Sequence, residues 1–322
     1  MNIKKLQIMK KLFSLFIIGG LLLTACSSND ETRETVDAAL PDLPILLEVG
    51  GLEMTRAAQT IQNTQFEKNQ YLDIYIEEHL EGDQYASTVY NNGSAMTYQT
   101  TNTSGTLRPS SAMFPYFPSN GRGVDIKGVY PHNTALNTFQ VKADQSGADN
   151  YKSSDLMLAK HENVARRKTA FALQFKHLLA KINVALTVPS GADISILNNA
   201  KVTLTNVARS VDWSPNATDE DNDKIVSSTV GSVGNVVVTN DGSTASSAII
   251  VPQTFADGYF MKIELNNGDI LNYYMAQTLT FVSGTVSSFT ITVDEKQLRV
   301  KYAVTPWDDN EGNNVTNDYV SL

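Results

Sequence analysis

Short apolar runs and alternations of apolar with polar residues recur along most of the chain, and helical periodicity is scarce. Tyr71–Glu77, Met96–Thr101, Val124–Tyr130, Ala200–Thr205, Asn235–Thr239, Ala248–Pro252, Phe260–Leu265, Ile270–Tyr274, Ser288–Val293 and Leu298–Val304 read as strands. The pairs Asn92-Gly93, Asp241-Gly242, Asp257-Gly258 and Gly268-Asp269 supply turns between them, and Ile263–Leu271 is the clearest hairpin. Ser153–Leu158 is the one helical candidate. Thr100–Ser111 and Ser214–Lys224 are low in apolar residues and read as surface loops. The pattern predicts an all-β protein.

The run from Thr169 to Val188 divides the chain. Phe171, Leu173, Phe175, His177 and Leu179 share one face of an extended strand, whereas Ile182, Val184, Leu186 and Val188 follow the opposite phase. Side chains alternate with period two, so this slip predicts a bulge or bend near Lys181. A domain boundary is placed just before the run, in the basic stretch Lys160–Lys168. It gives two antiparallel sandwich segments, 57–166 and 167–322.

Before them stands a targeting segment. Lys4, Lys5, Lys10 and Lys11 form a basic start, and Leu12–Leu23 is an apolar stretch too short for a comfortable membrane span. It ends in Leu23-Thr24-Ala25-Cys26, which looks like a lipoprotein signal: residues 1–25 are removed and the Cys26 thiol takes the lipid. Cys26 is the only cysteine, so no disulfide forms within the chain. Ser27 follows it, with no aspartate to signal inner-membrane retention, and Ser28-Asn29-Asp30-Glu31 resembles a short acidic export signal for the cell surface. The predicted location is therefore the outer membrane and cell surface.

Charge and chemistry narrow the function by exclusion. A formal net charge of −9 disfavours nucleic acid and anionic lipid surfaces as partners. The four histidines, His79, His132, His161 and His177, form no ligand or catalytic spacing, and the only thiol is assigned to lipid. No nucleophile elbow or phosphate-cradling glycine loop is present. Asp219–Asp223 superficially resembles a calcium loop, but Lys224 replaces the turn glycine and Val230 the terminal glutamate. We predict neither catalytic residues nor a metal or cofactor beyond the lipid. His177, on an apolar strand face, reads as a core residue.

Residues 26–56 carry a different signal. Ile45, Leu47 and Val49 fall on one face of a compact strand, and Arg56-Ala57 follows in a polar setting suited to a trypsin-like protease. A strand joined to the body only through such a site is detachable.

At this point the chain resembles the fimbrillin family of Bacteroidetes, in its Mfa-like branch, the subunits of protease-assembled type V pili. The resemblance rests on the lipoprotein signal, Met54-Thr55-Arg56-Ala57, Phe175-Lys176-His177-Leu178-Leu179-Ala180-Lys181-Ile182 and Val304-Thr305-Pro306-Trp307-Asp308, and covers essentially the whole chain. It implies two transthyretin-like Greek-key β-sandwich domains and a non-enzymatic fimbrial subunit at the cell surface. An Arg-specific surface protease then cuts between Arg56 and Ala57, releasing the strand of Ile45, Leu47 and Val49. A strand from another pilin subunit fills the groove. The candidate donor is the C-terminal tail, with apolar residues Val315, Tyr319, Val320 and Leu322. Further implied partners are the outer membrane, through the lipid, and adhesion ligands on host or bacterial surfaces.

A second reading is a glycan-binding lipoprotein presenting Trp213, Tyr259, Tyr273, Tyr274 and Trp307 to sugars. A hydrolase lacks paired catalytic groups. Cys26→Ser is expected to abolish acylation, measured by labelled palmitate; label persisting on the variant would sink the assignment.

Overall fold

A computed structural model describes residues 40–50, 66–82, 85–86, 88–215, 226–239, 245–294, 297–307 and 315–321, with backbone alone for 226–230 and 315–321. The regular secondary structure of the described residues is nearly all strand, as the alternation predicted.

The first sheet has eight strands, ordered Phe171–Gln174, Leu47–Gly50, Thr106–Pro109, Met96–Thr100, Tyr71–Glu78, Val124–Tyr130, Met157–Val164 and Lys176–His177. Its two end strands are consecutive pieces of one segment. Phe171–Gln174 pairs with the first strand, and Lys176–His177 pairs with Met157 and Leu158, so the segment 171–177 closes the sheet upon itself. Inside lie Ile45, Leu47, Leu72, Ile74, Ile126 and Leu173.

Past His177 the same segment enters a second body. Ala180–Thr187 lies in a five-stranded sheet ordered Ala245–Ile250, Ala180–Thr187, Thr285–Asp294, Gln297–Pro306 and Val315–Ser321. A four-stranded sheet, ordered Val233–Val237, Lys201–Ala208, Gly258–Glu264 and Ile270–Met275, shares its core. Ile182, Val184, Ile291 and Phe289 from one sheet and Leu204, Phe260 and Ile263 from the other fill it, as alternate inward positions of a sandwich should. The predicted hairpin is present, with Glu264 opposite Ile270 and Gly268 at φ +88°.

The long run changes sheets close to Lys181. It breaks at Leu178-Leu179, where both side chains are buried because the chain changes sheets there. Strand pairing passes from the first sheet to the second at this break. The basic stretch Lys160–Lys168 begins inside the strand Met157–Val164. The helix is Ala148–Lys152, not Ser153–Leu158; the Ser154 hydroxyl donates to the Asn150 carbonyl (2.8 Å) as the helix ends. Within the supposed loop 100–111, Thr106–Pro109 is a strand with only Leu107 buried, too few apolar positions to register as alternation.

A third apolar cluster joins the two bodies through Val129, Phe139, Leu158, Leu178, Ile249 and Trp307. Two buried glutamines reinforce it by imitating backbone. The Gln145 side chain accepts from Ile249 N–H (2.8 Å) and donates to the Ile249 carbonyl (2.7 Å), closing the edge of Ala245–Ile250. Gln253 does the same for Ala208, at 2.8 and 3.2 Å. Gln145→Leu keeps the volume and loses both bonds. A cost of roughly 1–3 kcal/mol for each backbone group left unsatisfied is expected, read by urea unfolding; unchanged stability would refute the role.

Candidate functional site

The site worth building is the slot of the first strand. Ile45 and Leu47 are each 1% exposed, because alternation sends them into the first core, and Val49 is half-buried beside it. Leu47–Gly50 runs parallel to Phe171–Gln174 on one side, and its Leu47 and Glu48 pair antiparallel with Leu107 and Thr106 on the other. It is thus an interior strand, although it precedes the rest of the body in sequence. Gly105, at φ +83°, turns the chain into Thr106–Pro109 and accepts from Val49 N–H at 2.8 Å. A Cβ there would meet the Val49 carbonyl at 2.7 Å, so glycine is needed for the close approach.

Docking extends upstream of the strand. Leu40 N–H donates to Ser119 O (2.9 Å), Phe117 N–H to Leu43 O (2.9 Å) and Ile45 N–H to Pro115 O (2.8 Å). The Arg166 guanidinium donates to the Pro41 carbonyl. Burying Ile45 and Leu47 contributes roughly 1.5–3 kcal/mol each, before these bonds are considered.

One wall of the slot is held from behind by a histidine. His161 Nε2 accepts from Gln174 N–H at 3.0 Å, and the His161 ring meets the Phe171 ring edge-on at 5.0 Å. Burial lowers the His161 pKa below its ordinary 6.5. An imidazole with both nitrogens protonated loses the acceptor.

Cys26, Arg56, Ala57 and Leu322 lie outside the described residues, as does Asp219–Asp223. Val315, Tyr319 and Val320 lie in the strand Val315–Ser321, which pairs antiparallel with 298–304 in its own sheet. No cluster of three metal-ligating side chains occurs among the described residues.

The aromatic platform does not form. Trp213, Tyr273 and Trp307 are buried, and Trp213 Nε1 donates to Ala135 O at 2.7 Å. Only Tyr259 and Tyr274 are exposed, and their rings meet edge-on rather than presenting one flat face.

His177 is buried as expected, but in polar company that its apolar alternation did not disclose. Its Nδ1 lies 2.8 Å from Asp155 Oδ1, and its ring stacks on Trp307 at 4.0 Å, with the planes 3° from parallel. The Lys181 ammonium stands 5.7 Å over the same indole. Burial pushes the Lys181 pKa down, opposed by the Asp155 charge. Asp155 and Trp307 are distant in sequence from this run, so only the fold brings them together.

The sequence model of the fimbrillin-like family matches residues 55–307. The chain belongs to that family. This fimbrillin-like chain is 24% identical over 314 residues to a candidate fimbrium subunit of Bacteroides uniformis, Fim1C, covering 93% of this chain and 96% of the relative. Its fold is similar to that of a candidate cell adhesion protein from Bacteroides uniformis, with TM-score 0.64, 21% identity, and coverage of 83% and 98% of the two chains. A candidate cell adhesion protein from Bacteroides ovatus gives TM-score 0.62 at 16% identity, over 85% of this chain and all of the other.

The lowered His161 pKa gives a pH dependence with a definite sign. Between the folded value and 6.5 the unfolded chain binds more protons, so stability is full above about 6.5 and falls as pH drops through the folded value. His161→Gln should therefore show a smaller stability loss than the native chain on going from about pH 7 to about pH 5, by urea titration. Equal losses in both proteins would refute it.

Proposed function

We propose that this fimbrillin-like chain is a structural subunit of a cell-surface fimbria. It is exported as a lipoprotein acylated at Cys26, cut after Arg56, and polymerised when a strand from another subunit enters the slot of the first strand. One observation carries the reading: the strand with Ile45 and Leu47 is an interior member of a closed sheet, bounded by Thr106–Pro109 and Phe171–Gln174. A strand removed from a sheet's middle leaves unpaired N–H and C=O groups on both flanks and empty apolar pockets. Only another extended segment satisfies both. The exposed alternative, an open slot, is an aggregation hazard, which explains why the chain would carry its own filler until assembly.

The acyl group holds the uncut form at the outer membrane, and cutting at Arg56-Ala57 by an Arg-specific surface protease separates the body from that anchor. The partners are other pilin subunits. The glycan reading loses its support, because three of its five aromatics are buried in cores.

Arg56→Ala should accumulate as intact lipoprotein and stay out of fibres, whereas native fibre protein should begin at Ala57 on N-terminal sequencing. Uncut Arg56→Ala protein entering fibres at the native level would defeat the mechanism.

A further inference from the structure

The bed of the first strand is longer than the sheet that holds it. Residues 40–44 precede the slot and lie along the strip 115–119, which the buried Phe117 ties into the first core. Pro44 faces Tyr116 in an isolated antiparallel bridge. On one side of that bridge Phe117 N–H donates to Leu43 O at 2.9 Å, and on the other Ile45 N–H donates to Pro115 O at 2.8 Å. Further out, Leu40 N–H reaches Ser119 O at 2.9 Å. Arg166, on the connection that leads into the slot wall Phe171–Gln174, completes the arrangement. Its guanidinium donates to the Pro41 carbonyl and, at 3.5 Å, to Pro118 O, so it bridges leader and strip.

Most of this recognition is of main chain. Leu40, Pro41 and Asp42 are exposed, and Leu43 is the leader side chain that packs against the first core. Both prolines stand where no N–H is required. Pro41 is held through its carbonyl, and Pro44 lies between the bonded residues 43 and 45, where strand alternation turns its nitrogen away from the strip. The fixed φ of proline also keeps such a leader near an extended conformation before it docks, which lowers the ordering cost.

We propose that the strip 115–119 and Arg166 form an entry site, continuous with the slot, for the leader of the incoming subunit's strand, with Arg166 as its positioning residue. This rests on the strand-exchange reading above. The occupant is a strand of another subunit that extends at least five residues, the length of 40–44, ahead of the apolar side chains filling positions 45 and 47. It presents an N–H at the positions of Leu40 and Ile45 and a carbonyl at those of Pro41 and Leu43, and it tolerates proline at 41 and 44. A donor reduced to the apolar strand alone fills the pockets but leaves Phe117 N–H and Ser119 O to water, and Arg166 to the strip.

The test uses the full chain cut after Arg56, with fluorescent Leu40–Gly50 exchanged into the slot and competition followed by anisotropy. N-acetylated Leu40–Gly50 should compete at least about tenfold better than N-acetylated Ile45–Gly50, because several hydrogen bonds are lost together with the leader. Arg166→Ala in the protein should cost Leu40–Gly50 about fivefold, the loss of one charged hydrogen bond, and leave the affinity for Ile45–Gly50, which does not reach Arg166, where it was. That second measurement also shows the slot itself to be intact. An ester in place of the Pro44–Ile45 amide removes the Ile45 N–H and keeps every side chain, and should weaken Leu40–Gly50 by about fivefold as well. Equal competition by the long and short peptides, an ester without effect, or equal losses of both peptides in Arg166→Ala would overturn the entry site while leaving strand exchange intact. Failure of labelled Leu40–Gly50 to enter the cut chain at all would overturn strand exchange itself, and the entry site with it.

Discussion

A strand inside a sheet has to be hydrogen-bonded along both edges, and in this fimbrillin-like chain the strand in question is the first one. Leu47–Gly50 separates Thr106–Pro109 from Phe171–Gln174, and its neighbour Ile45 fills the same core. Without it the segment 171–177 would still be tied to Met157–Leu158 through Lys176–His177, but its other half would lack a ladder partner. Closure of the first sheet is therefore conditional on one short strand. That condition gives Gly105, Arg166 and His161 their structural meaning. Gly105 admits the backbone, Arg166 grips the leader, and His161 backs the wall from the far side.

The junction between the bodies is built differently. Asp155 from the first body faces His177 on the crossing segment, and Trp307, past the end of Gln297–Pro306, lies flat on that imidazole beside Lys181. Buried ionisable groups are costly unless partnered, and here each of the three has a partner at the junction. Gln145 and Gln253 serve the same end by neutral means, each joining segments far apart in sequence.

The fold class was legible because alternation with period two and Asn-Gly or Gly-Asp turns are local signals, as the Gly268 hairpin illustrates. The first strand was legible for the same reason: Ile45, Leu47 and Val49 alternate within a few residues. What escaped was non-local. Thr106–Pro109 is a strand because partners lie on both sides, not because its single inward leucine announces one. The change of sheet at Leu178-Leu179 shows in the pattern as a phase slip near Lys181, since a pattern records that phase changes and not where the backbone turns. Two of the motifs carrying the family resemblance, around His177 and at Trp307, lie far apart in the sequence. Their ring stacking at 4.0 Å is a property of the folded chain alone.

Among the pairings between described strands, two are parallel: Leu47–Gly50 with Phe171–Gln174, and Ala180–Thr187 with Thr285–Asp294. Both use the same crossing segment, which runs from the slot's wall to the interior of the second sandwich. Tension applied to an occupant of the slot along its axis would pull that ladder lengthwise, so its hydrogen bonds would have to fail together rather than open one after another from an end. Beyond the ladder the pull would pass along covalent backbone through Leu178-Leu179 into a second lengthwise ladder of seven residue pairs, from Lys181↔Val286 to Thr187↔Thr292. Under such a load the segment that closes one sheet and enters the next would act as a tendon, continuous from the slot's wall to the interior of the second sandwich.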